Sequence, residues 1–206
     1  MTGLFITFEG GEGSGKSTQA ARLGERLKGQ GLDVVVTREP GGTPEAEALR
    51  GLLVSGDVTR WTPAAEALLN YAARDSHLAR VVRPALARGA VVLCDRFMDS
   101  TRAYQGYAGG VSLEFLDSLE RHIVGATRPV LTLIFDLDPR EGLARVTSRA
   151  GFEDRFERKG LEFHARLRDG FLDILRRDPK RCRLVDGAEA ADQVADAVWS
   201  IVSRIV

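Results

Sequence analysis

Residues 10–17 read Gly10-Gly11-Glu12-Gly13-Ser14-Gly15-Lys16-Ser17 and fit the spacing G-x-x-x-x-G-K-[ST] at every fixed position. An apolar run, residues 4–8, precedes the stretch. A helical pattern over 16–29 follows it, with Leu23 and Leu27 one turn apart and Gly29 and Gly31 as the stop signal. Strand, glycine-rich turn and helix in this order make an anion cradle. Glycines let the backbone wrap so closely that successive N–H groups face phosphate oxygens, and the helix N-terminus adds a favourable dipole. Lys16 is then placed to reach the β- and γ-phosphates, and the Ser17 hydroxyl to ligate Mg²⁺. Gly10, Gly11, Glu12, Gly13, Ser14, Gly15, Lys16, Ser17 and Thr18 are the expected ATP-binding set. The competing reading, a chance glycine-rich turn, is opposed by the flanking strand and helix.

Outward from this loop, further short apolar runs occupy 34–36, 91–94, 131–135 and, more weakly, 183–185. They are apolar almost continuously, which marks strands covered on both faces, as in a parallel sheet. Helical patterns separate them. One is capped by Thr62, has Pro63 at its first position and runs to about residue 89, with Pro84 as a kink or restart; others span 112–124, 161–175 and 188–205. The alternation predicts an α/β doubly wound fold of about five parallel strands with helices on both faces, one domain over 1–206. Residues 148–159 are dense in charge, contain Gly151 and read as a mobile loop.

Composition narrows the function. Lys+Arg and Asp+Glu are 29 each in 206 residues, so the net charge is zero, which argues against nucleic acid or a membrane surface as partner. The balance is a cancellation: residues 139–183 carry a net +5 and the remainder a net −5. Cys94 and Cys182 make no disulfide framework, Cys94 lies in an apolar run, and no stretch is long enough to span a membrane. The chain enters its first strand without a leader pattern, so the expected compartment is the cytoplasm. His77, His122 and His164 lack metal-ligand spacing and read as surface or partly buried helix residues. Trp61 and Trp199 read as core or interface anchors.

The nucleotide-binding classes separate by what is absent. Asn70 is the only asparagine, so no Asn-Lys-x-Asp base reader exists, and Asp-x-x-Gly occurs nowhere; a GTPase switch lacks its motifs. A small kinase fits the length. It needs an acceptor pocket, basic groups for an acceptor phosphate and mobile positive charge over the transferred group.

Five blocks then carry a resemblance. Residues 8–19 (Phe-Glu-Gly-Gly-Glu-Gly-Ser-Gly-Lys-Ser-Thr-Gln), 37–43 (Thr-Arg-Glu-Pro-Gly-Gly-Thr), 71–74 (Tyr-Ala-Ala-Arg), 95–106 (opening Asp-Arg-Phe and ending Tyr-Gln-Gly) and 154–157 (Asp-Arg-Phe-Glu) resemble, in order, the blocks of the thymidylate kinase family. The resemblance implies a P-loop kinase fold, ATP-dependent conversion of dTMP to dTDP, Mg²⁺ dependence and a homodimer. It implies that Arg96 holds the dTMP phosphate near the γ-phosphate, that Asp95 supports the Mg²⁺ shell, and that Arg38 contacts the acceptor phosphate. It sets Arg74 at the thymine edge, Thr101 and Gln105 beside the nucleotide, and Tyr104 over the deoxyribose. Glu12, a carboxylate inside an anion-binding loop, then faces the acceptor sugar or a nearby arginine. With no basic residue at that loop position, the lid supplies the mobile charge; Arg149 and Arg155 are the candidates, and Arg149 is preferred. The sequence departs from the family at Asn70, where many members stack a phenylalanine on thymine; a hydrogen bond from Asn70, or another aromatic, replaces it. Two other readings compete. Asn70 favours a P-loop kinase for a different nucleoside monophosphate. A nucleotide-binding switch without turnover is opposed by Arg96, Arg149 and Arg155.

Overall fold

Five apolar runs become strands, the three central ones buried on both faces and the two outer ones partly exposed at the sheet edges. The computed structural model describes residues 3–147 and 155–206. In it β1 (Leu4–Gly10), β2 (Val34–Arg38), β3 (Val91–Asp95), β4 (Leu131–Asp136) and β5 (Cys182–Asp186) lie in the order β2-β3-β1-β4-β5, each neighbouring pair parallel. Side chains alternate across the sheet. Ile6, Phe8, Leu93, Leu133 and Phe135 pack under α1 (Lys16–Gly29) and α9 (Ala191–Val202). Phe5, Val92 and Cys94 face the opposite way, against α3 (Pro63–His77), α4 (Arg83–Ala87) and α6 (Leu113–Ile123). A third group packs Leu167 and Phe171 of α8 (Leu161–Arg177) on Ile134, Cys182 and Tyr104. This is the doubly wound α/β architecture the runs predict.

The remaining helices are α2 (Pro44–Val54), α5 (Met98–Thr101) and α7 (Pro139–Thr147), none of which the apolar pattern announced. In α2 only Ala46, Leu53 and Val54 are buried, too sparse a stripe for a helical period. Its start was nevertheless written locally: the Thr43 hydroxyl accepts from the Ala46 N–H at 3.2 Å, with Pro44 next. The long helix expected from Thr62 to about residue 89 is divided. α3 runs into a π-helical turn, Leu78–Val82, and α4 restarts around Pro84, a residue with no N–H to continue the ladder. A second π-helical segment, Arg102–Tyr107, follows α5. His77 and His164 are buried, against the expectation of surface or partly buried residues. Cys94 and Cys182 are buried free thiols. Among the described residues no helix is long and apolar enough to cross a membrane.

Register places the site. Phe8 and Arg38 both sit opposite Asp95, and Gly10 opposite Phe135, so four strands end along one edge. The chain lies on one side of β1 for β2 and β3 and on the other for β4 and β5. The crevice at the carboxyl end of β1 is thus the switch point where open α/β sheets take ligands. Behind it, Arg181 ties the sheet to α5, bonding Asp99 at 2.6 and 3.1 Å and the Thr132 hydroxyl at 2.6 Å.

Candidate active site

The glycine-rich turn connects β1 to α1 directly, and two of its glycines are there for lack of space. A side chain at Gly10 (φ 140°) would meet the Phe135 carbonyl at 2.4 Å, and one at Gly13 (φ 67°) the Gly142 carbonyl at 2.2 Å. Lys16 is buried at the start of α1, with Nζ donating to the Gly11 carbonyl at 2.5 Å and to Ser14 Oγ at 3.1 Å. Burial first, and Arg96 second, pull its pKa down to about 8 against the opposing pull of Asp95, Glu12 and Glu9. Two cations held this close in a desolvated place favour an anionic ligand. Ser17 donates a short hydrogen bond to Asp95 Oδ2, while the buried Asp95 Oδ1 has no protein partner among the described residues. A hydroxyl and a carboxylate with a spare oxygen suit a hard, oxygen-seeking cation such as Mg²⁺. Thr18 is exposed one position further along α1.

Arg96 sits just past β3 with φ 68°, a left-handed backbone found at no other non-glycine among the described residues. Neighbouring bonds hold it there. Its N–H donates to the Phe8 carbonyl at 2.9 Å, and the buried carboxylate of Glu9 accepts from the Phe97 N–H at 2.8 Å and the Ser100 hydroxyl at 2.5 Å. Burial, with Asp99 adding to it, raises Glu9 to about 7 despite these donors and Arg96. The Arg96 guanidinium reaches the Gly10 carbonyl and Glu12 Oε2, both at 3.0 Å. Burial would lower its pKa, but Tyr104, Glu12 and Asp95 more than offset this, so it stays charged. Glu12 also accepts from the Tyr104 hydroxyl at 2.5 Å. Burial would raise Glu12; Arg96, Lys16 and the Tyr104 hydroxyl overcome it and hold the carboxylate at about 2. Glu12 therefore faces an arginine and a tyrosine.

Beyond Glu12 and Arg96 opens a cleft of about 360 Å³. Arg74 is at its floor, 2% exposed, with Nε on Glu39 Oε2 at 2.7 Å and Nη2 on the Thr101 hydroxyl at 3.0 Å. Its Nη1 is buried without a protein partner among the described residues, and its guanidinium lies over the Tyr71 and Phe97 rings. His77 steadies the other Glu39 oxygen at 2.9 Å and itself meets Thr37 at 2.8 Å. Glu39 and His77 were missed in the sequence, although Glu39 stands inside the quoted 37–43 block. Asn70 lines the cleft while its amide donates to the Glu66 carbonyl at 2.9 Å. Gln105 also lines it and donates to the Glu66 carboxylate at 2.8 Å. Phe97 and Phe156 supply aromatic wall, Phe156 standing edge-on to Tyr104 with ring centres 5.5 Å apart.

Three arginines depart from expectation. Arg38 does not line the cleft; its half-exposed guanidinium pairs with Glu47 at 3.1 Å. Arg50 of α2, not singled out in the sequence, lines the cleft and donates to the Pro40 carbonyl at 3.1 Å. Arg155, expected above the transferring phosphoryl group, is 0% exposed and paired with Glu66 at 2.6 Å. Arg149, the preferred lid arginine, lies outside the described residues.

The thymidylate kinase family model matches residues 8–198. The chain belongs to the thymidylate kinase family. It is 58% identical over 204 residues to the thymidylate kinase of Caulobacter vibrioides, covering 99% of this chain and 96% of that one. The thymidylate kinase of Ruegeria pomeroyi is 52% identical over 201 residues, covering 98% and 95%. Among solved structures, thymidylate kinase from Ehrlichia chaffeensis superposes with a TM-score of 0.81 at 34% identity, covering 98% of this chain and 100% of that chain. The five-stranded parallel sheet with its flanking helices is thus the P-loop kinase fold of thymidylate kinases.

Proposed function

We propose that the glycine-rich loop and the cleft are the donor and acceptor sites of one phosphoryl transfer. The protein is an enzyme that phosphorylates dTMP to dTDP with ATP, the reaction of the family to which it belongs. The observation that carries the residue assignment is Glu12, which belongs to the phosphate loop and also lines the cleft, bonded to Arg96. A γ-phosphate on the loop and a monophosphate in the cleft would therefore meet at Arg96.

In this reading the loop amides and Lys16 hold the ATP phosphates. Arg96 bridges the acceptor phosphate and the transferred group, where in-line displacement depends on positioning and on neutralising spread negative charge. An oxygen of the dTMP phosphate attacks the γ-phosphorus, and the β–γ bridging oxygen leaves with ADP. Arg74 Nη1 donates to the base, Thr101 fixes the Arg74 fork, and Phe97 or Phe156 supplies the stacking surface that Asn70 cannot. Tyr104, protonated well above neutrality because burial raises its pKa, fixes Glu12 beside the sugar. Arg149 supplies mobile charge. Ser17 and Asp95 would hold Mg²⁺, which when bound neutralises phosphate charge. The reading also includes a single domain, a cytoplasmic location and a homodimer. Two buried free thiols suit a reducing compartment.

ADP release with Mg-ATP against dTMP, dUMP, dCMP, dGMP and AMP tests the acceptor. Turnover is expected to be far highest with dTMP; a preference for another monophosphate overturns the assignment. Sedimentation analysis tests the dimer.

A further inference from the structure

Arg155 directs four hydrogen bonds at three separate pieces of chain. Nη1 donates to the Leu53 carbonyl at 3.0 Å, Nε to the Asp57 carbonyl at 2.9 Å, and Nη2 to the Val58 carbonyl at 3.1 Å and Glu66 Oε1 at 2.6 Å. Its own N–H reaches the Val54 carbonyl at 3.3 Å. Leu53 and Val54 end α2, so their carbonyls have no intrahelical partner, and a cation there also suits the helix dipole. Glu66, 1% exposed on α3, takes Lys159 and Gln105 as further donors at 3.2 and 2.8 Å.

Two of these pieces, and the segment that carries Arg155 itself, supply walls of the cleft. α2 presents Leu53 and Arg50, α3 presents Asn70 and Arg74, and Phe156 and Glu157 directly follow Arg155. A planar fork with five donors can fix several walls at once, where an ammonium cannot. We infer that Arg155, paired with Glu66, is a positioning residue for the acceptor nucleotide: it docks residues 155–159 on α2 and α3 and so sets the width of the cleft. It does not touch the transferring phosphoryl group. The inference rests on the reading of the cleft as the dTMP site.

Steady-state kinetics of the full chain test it, after the wild-type acceptor panel has established turnover with dTMP; failure of that panel strikes the site reading itself. For Arg155→Met, KM for dTMP is expected to rise at least about tenfold, with KM for ATP and kcat each within about threefold. Glu66→Gln should shift the same constant, and the double variant should show less than the summed effect. Arg155→Lys should rescue only part of the loss. Should Arg155→Met fail to fold, Glu66→Gln carries the test and should raise the same KM. A fall in kcat of about 100-fold with KM for dTMP unchanged would return Arg155 to the phosphoryl group. Unchanged constants in Arg155→Met, or in Glu66→Gln where that variant stands in, would equally overturn the proposal.

Discussion

The two halves of the site are built from different material. The donor half is backbone: a turn of glycines, a helix N-terminus and one lysine folded back onto the Gly11 carbonyl. The acceptor half is side chain: Arg74 on Glu39, Glu39 on His77, Arg155 and Gln105 on Glu66. A backbone cradle is fixed by local dihedral angles and loses only chemistry when its lysine is removed. A buried ion-pair lattice is fixed by its own members, so removing one charge strands another. Function and stability should therefore separate by half.

The sharpest break is Lys16→Ala. It should cost about 10⁴-fold in kcat/KM, about 5 kcal/mol in the transition state, while a melting curve barely moves. A melting point collapsing with activity would erase the distinction. Arg74→Ala should do the reverse at the level of the fold, losing about 4 kcal/mol because Glu39 Oε2 is left buried without its arginine. Denaturant unfolding measures it, and Glu39→Gln combined with Arg74→Met should recover part of the loss.

Glu9 tests the seam, since it lies next to Gly10 at the end of β1 yet grips Phe97 and Ser100. Its carboxyl rises from the ordinary 4.5 to about 7 in the fold, so the unfolded chain releases this proton first as pH increases. The stabilisation is complete below about 4.5 and lost through about 7, on the order of 3 kcal/mol. Unfolding free energy followed across that window should decline in the wild type and run flatter in Glu9→Gln. Glu12 has the opposite sign: held at about 2, it stabilises above about 4.5 and is lost only in strong acid. The smallest effect is Thr43→Ala, which removes the α2 cap for about 1 kcal/mol. Hydrogen exchange should localise that loss to α2.

Legibility followed the same division. The donor loop could be read because its eight residues are adjacent and their chemistry is local. The sheet could be read because strands covered on both faces leave continuous apolar runs. Glu39 and Arg74 lie 35 positions apart, and Glu66 and Arg155 lie 89 apart; no spacing rule links them. The resemblance offered Arg155 beside Arg149 as a lid arginine and set Arg38 at the acceptor phosphate, and neither reading could foresee the pairing with Glu66 or with Glu47. Arg50 was overlooked because α2 shows too little apolar period to be seen as a helix.

Arg96 combines a necessary charge with a backbone angle that suits glycine. The two demands can be pulled apart at one position. Arg96→Gly should be more stable than Arg96→Ala by about 1–2 kcal/mol, because only the alanine keeps the Cβ that the left-handed turn resists, and both should be equally inactive. A glycine there would relax the backbone but leave Glu12 without its cation and the protein without activity, so selection for catalysis keeps this turn away from its most relaxed residue.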